Sequence, residues 1–308
     1  MASIAVVGAG AIGCYFGGML ARAGNAVTLI GRKRHVETIN RRGLIFESAS
    51  RREAIAVAAS EDIAAVRWAE VVLFCVKSLD TDTAARDMAP HLPPQAVVVS
   101  LQNGVDNVDL IRQHTKNYVM PALIYVAAQM PEAGFVRHTG GGNIVIGETA
   151  AFRSDRNLVN EIAALFTAAA VQVKVSDDIE SELWIKLLMN CAYNAICALG
   201  QAPYGAMVAM PEVEAVMREA VAEVQQVASA KGIRLPVDIA DATIKLAGVM
   251  PTTMSSTAQD IRNGRRTEVD HLNGTVVREG EALGIATPVN RALNALIKLL
   301  ERAKGLRD

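Results

Sequence analysis

The stretch SIAVVGAGAIGCYFGGMLARAGNAVTLIGRKR, residues 3–34, decides how the rest of the chain is read. Its first six residues are a short apolar run ending in glycine, the pattern of a strand buried on both faces. Residues 11–24 read as a helix stopped by Gly24, and residues 26–31 as a second strand. Between the first strand and the helix stands Gly8-Ala9-Gly10-Ala11-Ile12-Gly13, a G-x-G-x-x-G. Alone, that spacing is weak. Here it follows a strand, opens a helix and leads to another strand, the context that gives it meaning. The glycines permit a tight turn and close backbone approach. The helix N-terminus offers free N–H groups and the positive end of its dipole to a pyrophosphate. The stretch predicts a dinucleotide cradle made of Gly8, Ala9, Gly10, Ala11, Ile12 and Gly13.

The end of the second strand points to the kind of dinucleotide. NAD-binding forms place Asp or Glu there to bond the ribose 2′-hydroxyl. This chain reads Gly31-Arg32-Lys33-Arg34 instead, with no carboxylate, and a guanidinium suits a 2′-phosphate. The expected cofactor is NADP(H), with Arg32 as its contact and Lys33 and Arg34 as surface charges.

Outward from this unit, VVLFCVK (71–77), AVVVSLQNG (96–104), YVMPALIYVAA (118–128) and NIVIGE (143–148) read as further strands. GFVRHTGGGN (134–143) reads as a glycine-rich turn between the last two. Continuous apolar strands alternating with helices predict a parallel sheet with helices on both faces. Ligands of such sheets lie past the carboxyl ends of the strands, so Lys77 and Asn103, each closing a strand pattern, are candidate contacts. From residue 177 the strand signals vanish, and helical periods cover 178–199, 211–231, 236–248, 255–283 and 288–303. Asp177 with Glu180 reads as a capping box opening the first of these helices, which Gly200 ends. The expected organisation is a doubly wound α/β domain over residues 1–176 and an all-helical domain over 177–308.

That first long helix carries SELWIKLLMNCAYN, residues 181–194. It is apolar nearly all round, yet Lys186, Asn190 and Asn194 stand four residues apart on one slowly drifting stripe. A lysine on a mostly buried helix either pairs with a carboxylate or lines a polar cleft. The bland alternative is a snorkelling lysine with two amides bridging helices. The sharper reading is a pocket wall, Lys186 meeting a substrate oxygen and the amides holding its polar groups.

The totals narrow the function classes. The chain has 308 residues and is 51% hydrophobic, ample for a core, with net charge −1 and no basic stripe, which argues against a nucleic-acid partner. Cys14, Cys75, Cys191 and Cys197 form no C-x-x-C pair and sit in apolar surroundings, fitting reduced thiols and a cytoplasmic location. The five histidines are scattered without metal-ligand spacing, so no metal is expected. No unbroken apolar run reaches the length of a membrane span, so no membrane partner is expected.

With these residues in view, the chain resembles the ketopantoate reductase family (2-dehydropantoate 2-reductase) nearly end to end. The resemblance is carried by IAVVGAGAIG, the Arg32 turn, VVLFCVKS, LQNGVDN, SELWIKLLMNCAYN and SSTAQDIRNGRRTEVDHLNG, of which the last two are the specific ones. It implies a Rossmann-type domain followed by a helical substrate and dimerisation domain. It also implies NADPH-dependent reduction of a 2-oxo acid, ketopantoate, to a D-hydroxy acid within pantothenate and coenzyme A biosynthesis. Lys186 resembles the family's catalytic lysine, and Asn190 and Asn194 its substrate-binding asparagines. Ser256 matches a substrate-binding serine, and Glu268 a glutamate near the nicotinamide and the lysine. Lys77, Asn103 and the Ala127 backbone resemble cofactor contacts. By local sequence alone Glu268 reads as a helix-surface residue pairing with Arg265 or Arg266; only the resemblance raises it. Tyr204 departs from the pattern, standing where some members carry another substrate-binding asparagine. Two alternatives stay open: a D-2-hydroxyacid dehydrogenase for other branched or aromatic 2-oxo acids, and a non-catalytic NADPH-binding sensor. A homodimer is the expected assembly.

Overall fold

The computed structural model describes residues 1–149 and 156–306. They form two compact units: Met1–Gln102 with Asn107–Ile179, and Asn103–Asp106 with the chain from Glu180 onward. The short segment Asn103–Asp106 thus belongs to the helical unit although sheet-unit sequence flanks it on both sides.

The first unit is built on ten strands: β1 (Ser3–Val7), β2 (Ala26–Ile30), β3 (Leu44–Ser48), β4 (Arg51–Ile55), β5 (Ala58–Ser60), β6 (Val71–Phe74), β7 (Val97–Ser100), β8 (Val119–Glu132), β9 (Phe135–Gly147) and β10 (Val173–Ser176). Its helices are α1 (Ala11–Arg22), α2 (Lys33–Arg42), α3 (Thr81–Met88), α4 (Asn107–Arg112) and α5 (Arg156–Ala168). The order across the sheet is β4-β3-β9-β8-β7-β6-β1-β2-β5, with β10 paired to β9. Six neighbours, β5-β2-β1-β6-β7-β8, pair in parallel throughout. Numbered among themselves they read 3-2-1-4-5-6, the order of the doubly wound dinucleotide-binding sheet. Their β-branched runs are buried on both faces, as in Val6, Val72 and Val98, each at 0% exposure.

Two readings of the sequence need correction here. Residues 134–143 are not a glycine-rich turn. Residues 135–143 lie within β9, antiparallel to β8, and the turn is confined to the start of that stretch, at Gly134 with φ +67°. The stretch that suggested a turn is absorbed by irregular pairing: the β8–β9 register shifts between Tyr125 and Val126, leaving Gly142 unpaired, and between Ala127 and Ala128, leaving Thr139 unpaired. Gly142 lies against the Tyr15 hydroxyl, where a Cβ would collide. Strands β6 and β7 also end early, at Phe74 and Ser100, so Lys77 and Asn103 each stand three residues past their strand. The short strands β3, β4, β5 and β10 carry charged or weak patterns such as RREAI and AAS and gave no clear signal.

The helical unit holds α6 (Ile179–Gly200), α7 (Tyr204–Val208), α8 (Pro211–Ala230), α9 (Ile239–Val249), α10 (Ser256–Arg262), α11 (Asn273–Leu283) and α12 (Pro288–Ala303). Buried residues of α6, among them Leu187, Leu188, Cys191 and Ala195, join Met217, Val221 and Val224 of α8 and Val276 of α11 in one core. Among the described helices α6 alone is long and apolar enough to cross a membrane, but more than half of its most apolar window is buried inside the protein. It ends at Gly200 as expected and begins at Ile179, two residues past Asp177, whose carboxylate pairs with Arg156 at 2.8 Å. The expected helix over 255–283 is broken in two. Gly264, at φ +66°, stops the chain after α10, and residues 265–268 run as loop before a 3₁₀ turn at Val269–His271.

Candidate active site

The G-x-G-x-x-G lies where the strand order reverses, between β1 and β6. Each glycine there answers a different constraint. Gly8, at φ +108°, packs on the end of β6 so closely that a Cβ would lie 2.7 Å from the Cys75 carbonyl carbon and the Val76 nitrogen. A Cβ on Gly13 would strike the Gly8 carbonyl oxygen and lie 2.9 Å from Val6 Cγ1. These two contacts hold strand and helix together. Gly10 is different: it is exposed, it precedes the first residue of α1, and a Cβ there would meet nothing within 4 Å. No side chain caps this helix start and no acidic residue stands in its first turn. The buried Ala9 and half-buried Ala11 and Ile12 complete the loop, and Gly8 and Ala9 both donate to the Ile30 carbonyl at 3.0 Å. A free helix N-terminus with open space before it fits a pyrophosphate group.

At the end of β2 the chain turns through Gly31 into Arg32, which precedes α2 with φ −71° and ψ 146°. The Arg32 side chain is 90% exposed, with Asp80 Oδ2 at 3.9 Å. Lys33 faces Glu37 at 3.8 Å, an exposed pair on one helix face. Lys77 is half-buried and opens the 3₁₀ turn Ser78–Asp80. Ala127 is exposed on β8, and its carbonyl accepts from Thr139 Oγ1 at 3.2 Å.

In the helical unit the lysine stripe comes together with two residues remote in sequence. Lys186 is half-buried on α6. Burial pulls its ammonium down from 10.5 to about 8, and the opposing attraction of Glu268 is the smaller effect. Glu268 begins the 3₁₀ turn and accepts from Asn103 Nδ2 at 3.3 Å. Lysine, glutamate and asparagine therefore form one electrostatic group, and Glu268 reaches it from a loop rather than from the helix surface the sequence suggested. Asn190 is half-buried and Asn194 is 4% exposed, and neither amide hydrogen-bonds another described residue.

The adjacent serines divide their work. Ser256 is exposed at the first position of α10. Ser255 is 2% exposed, accepts from Ala258 N at 3.1 Å and donates to the Asn194 carbonyl at 3.2 Å. Ser255 thus caps α10 and ties it to α6 beside Asn194. The sequence reading missed this, although Ser preceding a helical run is a capping signal. Tyr204, at the start of α7, packs its ring 4.2 Å from that of Tyr193. Burial pushes its hydroxyl well above the usual phenol range.

Comparison with known proteins identifies consistent relatives. The family model described as ketopantoate reductase PanE/ApbA matches residues 4–151, and its C-terminal companion matches residues 178–301. The 2-dehydropantoate 2-reductase of Halobacterium salinarum is 33% identical over 302 residues, covering 97% of this chain and 99% of its own. A solved PanE/ApbA family ketopantoate reductase from Ralstonia eutropha aligns with a TM-score of 0.92 at 49% identity, over 98% of this chain and 99% of that one. A D-mandelate dehydrogenase solved with NADH and anilino(oxo)acetate aligns with a TM-score of 0.93, over 99% and 100% of the two chains. At 23% identity that last likeness is one of fold.

Proposed function

Because this chain belongs to the ketopantoate reductase family, a family of oxidoreductases, we propose that it reduces the C2 carbonyl of ketopantoate to D-pantoate with NADPH. The observation that carries the reading is Lys186, lowered to about 8, beside Glu268 and on the same helix stripe as two amides that hydrogen-bond no other described residue. The glycine loop at Gly8–Gly13 would hold the pyrophosphate, and Arg32, with no carboxylate at the end of β2, would hold the 2′-phosphate. Lys77, Asn103 and the Ala127 backbone would complete the cofactor contacts. A nicotinamide dinucleotide bound there supplies the hydride. Lys186 donates a hydrogen bond and then its proton to the C2 oxygen as negative charge develops on it. With its pKa near 8 it is protonated about ten to one at pH 7, and it gives up that proton more readily than a free lysine would. Asn190, Asn194 and Ser256 would bind the carboxylate and hydroxyl and so fix the carbonyl for attack.

A second reading keeps the chemistry and changes the substrate, to another branched or aromatic 2-oxo acid. Tyr204 favours it, since a ring packed on Tyr193 stands where some members carry an asparagine. NADPH oxidation with ketopantoate beside 2-oxoisovalerate, pyruvate, phenylpyruvate and oxaloacetate tests both readings. A kcat/KM for ketopantoate far above the others supports the first. A strong rate with another acid replaces the substrate. Silence with all five defeats the reductase reading.

Two further results follow. Arg32→Ala should raise the KM for NADPH about tenfold, a charge-assisted contact's worth, and leave the KM for NADH nearly unchanged. Equal effects on both cofactors would remove Arg32 from the 2′-phosphate site. The pH dependence comes from Lys186. Reduction needs its protonated form, so kcat/KM should hold below about pH 8 and fall above it. Oxidation of the hydroxy acid needs the neutral form and should rise through the same pH. Glu268 holds the proton on, so Glu268→Gln should move the basic limb of reduction to lower pH. A limb that stays put would separate Glu268 from the lysine.

A further inference from the structure

Glu268 lies on no regular helix, yet the chain on either side of it is pinned. One residue before it, Thr267 is 2% exposed, and both its backbone N–H and its hydroxyl donate to Glu301 Oε1, each at 2.7 Å. The Thr267 hydroxyl oxygen in turn accepts from Val269 N at 3.3 Å. Glu301 comes from the last turn of α12, 34 residues away, and is only 8% exposed. Three residues after Glu268, His271 Nδ1 lies 3.0 Å from Asp106 Oδ2. The same oxygen accepts from Arg278 Nη2 at 3.1 Å and from Thr275 Oγ1 at 3.3 Å. Asp106 closes the segment whose first residue, Asn103, donates to the Glu268 carboxylate. The loop is therefore tied at both ends, and the second tie also holds in place the group that hydrogen-bonds Glu268. A buried carboxylate is expensive to keep, and Glu301 spends both of these hydrogen bonds on the residue next to Glu268.

We propose that Glu301 and Asp106 are positioning residues for the reduction: Glu301 through Thr267, and Asp106 through His271 and Asn103, they fix the Glu268 carboxylate beside Lys186. This rests on the reading of Glu268 as the charge partner of Lys186. The charged groups around the loop include Arg265 and Arg266 of the loop itself, Lys186 from α6, Asp106 from the 103–106 segment, Arg278 from α11, Glu301 and Lys298 from α12, and Asp270 and His271 of the turn that follows, with Lys298 pairing Asp270 at 3.0 Å.

The test compares the pH profile of kcat/KM across variants of the full-length protein, with the melting temperature recorded for each. Glu301→Ala loosens Thr267 and lets Glu268 drift from the lysine. Its kcat should fall about tenfold, within the range for an ångström-scale misplacement, and its basic limb should move to lower pH as in Glu268→Gln. Glu301→Gln keeps a carbonyl oxygen that accepts the same two hydrogen bonds, and should restore both rate and limb. Thr267→Val and Asp106→Ala should move the limb in the same direction. None of the three loosening variants should move it further when Glu268 is already Gln, because they act through that residue. A folded Glu301→Ala with the native limb, beside a Glu268→Gln whose limb has moved, makes Glu301 a structural group and overturns the proposal. If Glu301→Ala does not fold, Thr267→Val and Asp106→Ala decide on the same readout. If Glu268→Gln itself leaves the limb unmoved, the reading of Glu268 has failed, and the positioning proposal falls with it.

Discussion

Lys186→Ala should lower kcat for 2-oxo acid reduction by roughly 10²–10⁴, the range for loss of a general acid. The protein offers no replacement of the same kind on that stripe: Asn190 and Asn194 carry no proton to give at neutral pH. The loss should appear in kcat more than in the KM for cofactor, since the glycine loop and Arg32 belong to the other unit and are untouched. Lys186→Met is the sharper variant. It keeps most of the side chain's length and its packing on α6, removes the ammonium, and relieves the burial of charge that lowers the lysine's pKa. Relief of that burial offsets the lost attraction of Glu268, so its melting temperature should stay above that of Lys186→Ala while its rate falls as far. The basic limb near pH 8 should vanish from the residual activity of both variants. Near-normal turnover in either, with an intact limb, would sink the lysine mechanism.

How far this site could be read in advance depends on the distance over which its parts are joined. The lysine stripe was legible because Lys186, Asn190 and Asn194 share one helix, and helical spacing alone places them on one side. The glycine loop was legible for the same reason: strand, loop and helix are contiguous, and Gly13 meets Gly8 and Val6 of that same unit, although the packing of Gly8 on Cys75 and Val76 was beyond its reach. Glu268 was not. Local charge placed it on a helix surface with neighbouring arginines, whereas the chain leaves the helix at Gly264 and brings its carboxylate to Asn103, 165 residues earlier. Asp106 and Glu301 gave no signal at all, because each acts on a partner that sequence spacing does not reveal. The same limit explains β9. A run of three glycines suggests a turn when read alone, but pairing with β8 from Phe135 to Ile146 outweighs it and leaves Gly142 at a register shift. Conversely, Asp177 showed a capping signature, yet the helix begins two residues later, at Ile179.

Gly10→Ala and Gly13→Ala should part company, and the contrast tests the cradle itself. The added methyl at Gly10 meets nothing within 4 Å, so the protein should fold with a stability loss of no more than about 1 kcal/mol, that of an alanine at a helix cap. Its effect should fall on dinucleotide binding, because the methyl stands in the open space before the uncapped start of α1, where a pyrophosphate must approach the backbone. A rise of tenfold or more in the Kd for NADPH, with little change in melting temperature, is the expected outcome of titration followed by fluorescence. Gly13 is the opposite case. Alanine is the better helix former by about 1 kcal/mol, yet its methyl would be driven into the Gly8 carbonyl oxygen and against Val6. Neither neighbour can yield cheaply, since Gly8 is itself packed on the backbone of Cys75 and Val76. Forcing α1 away from β1 should cost at least the 1–3 kcal/mol usual for overpacking, lowering the melting temperature and loosening the cradle together. If Gly10→Ala binds NADPH as the native protein does, the pyrophosphate does not sit at this helix start. The basis for reading Arg32 as its 2′-phosphate contact would then be lost as well, since that reading starts from a dinucleotide lying across β1 and β2.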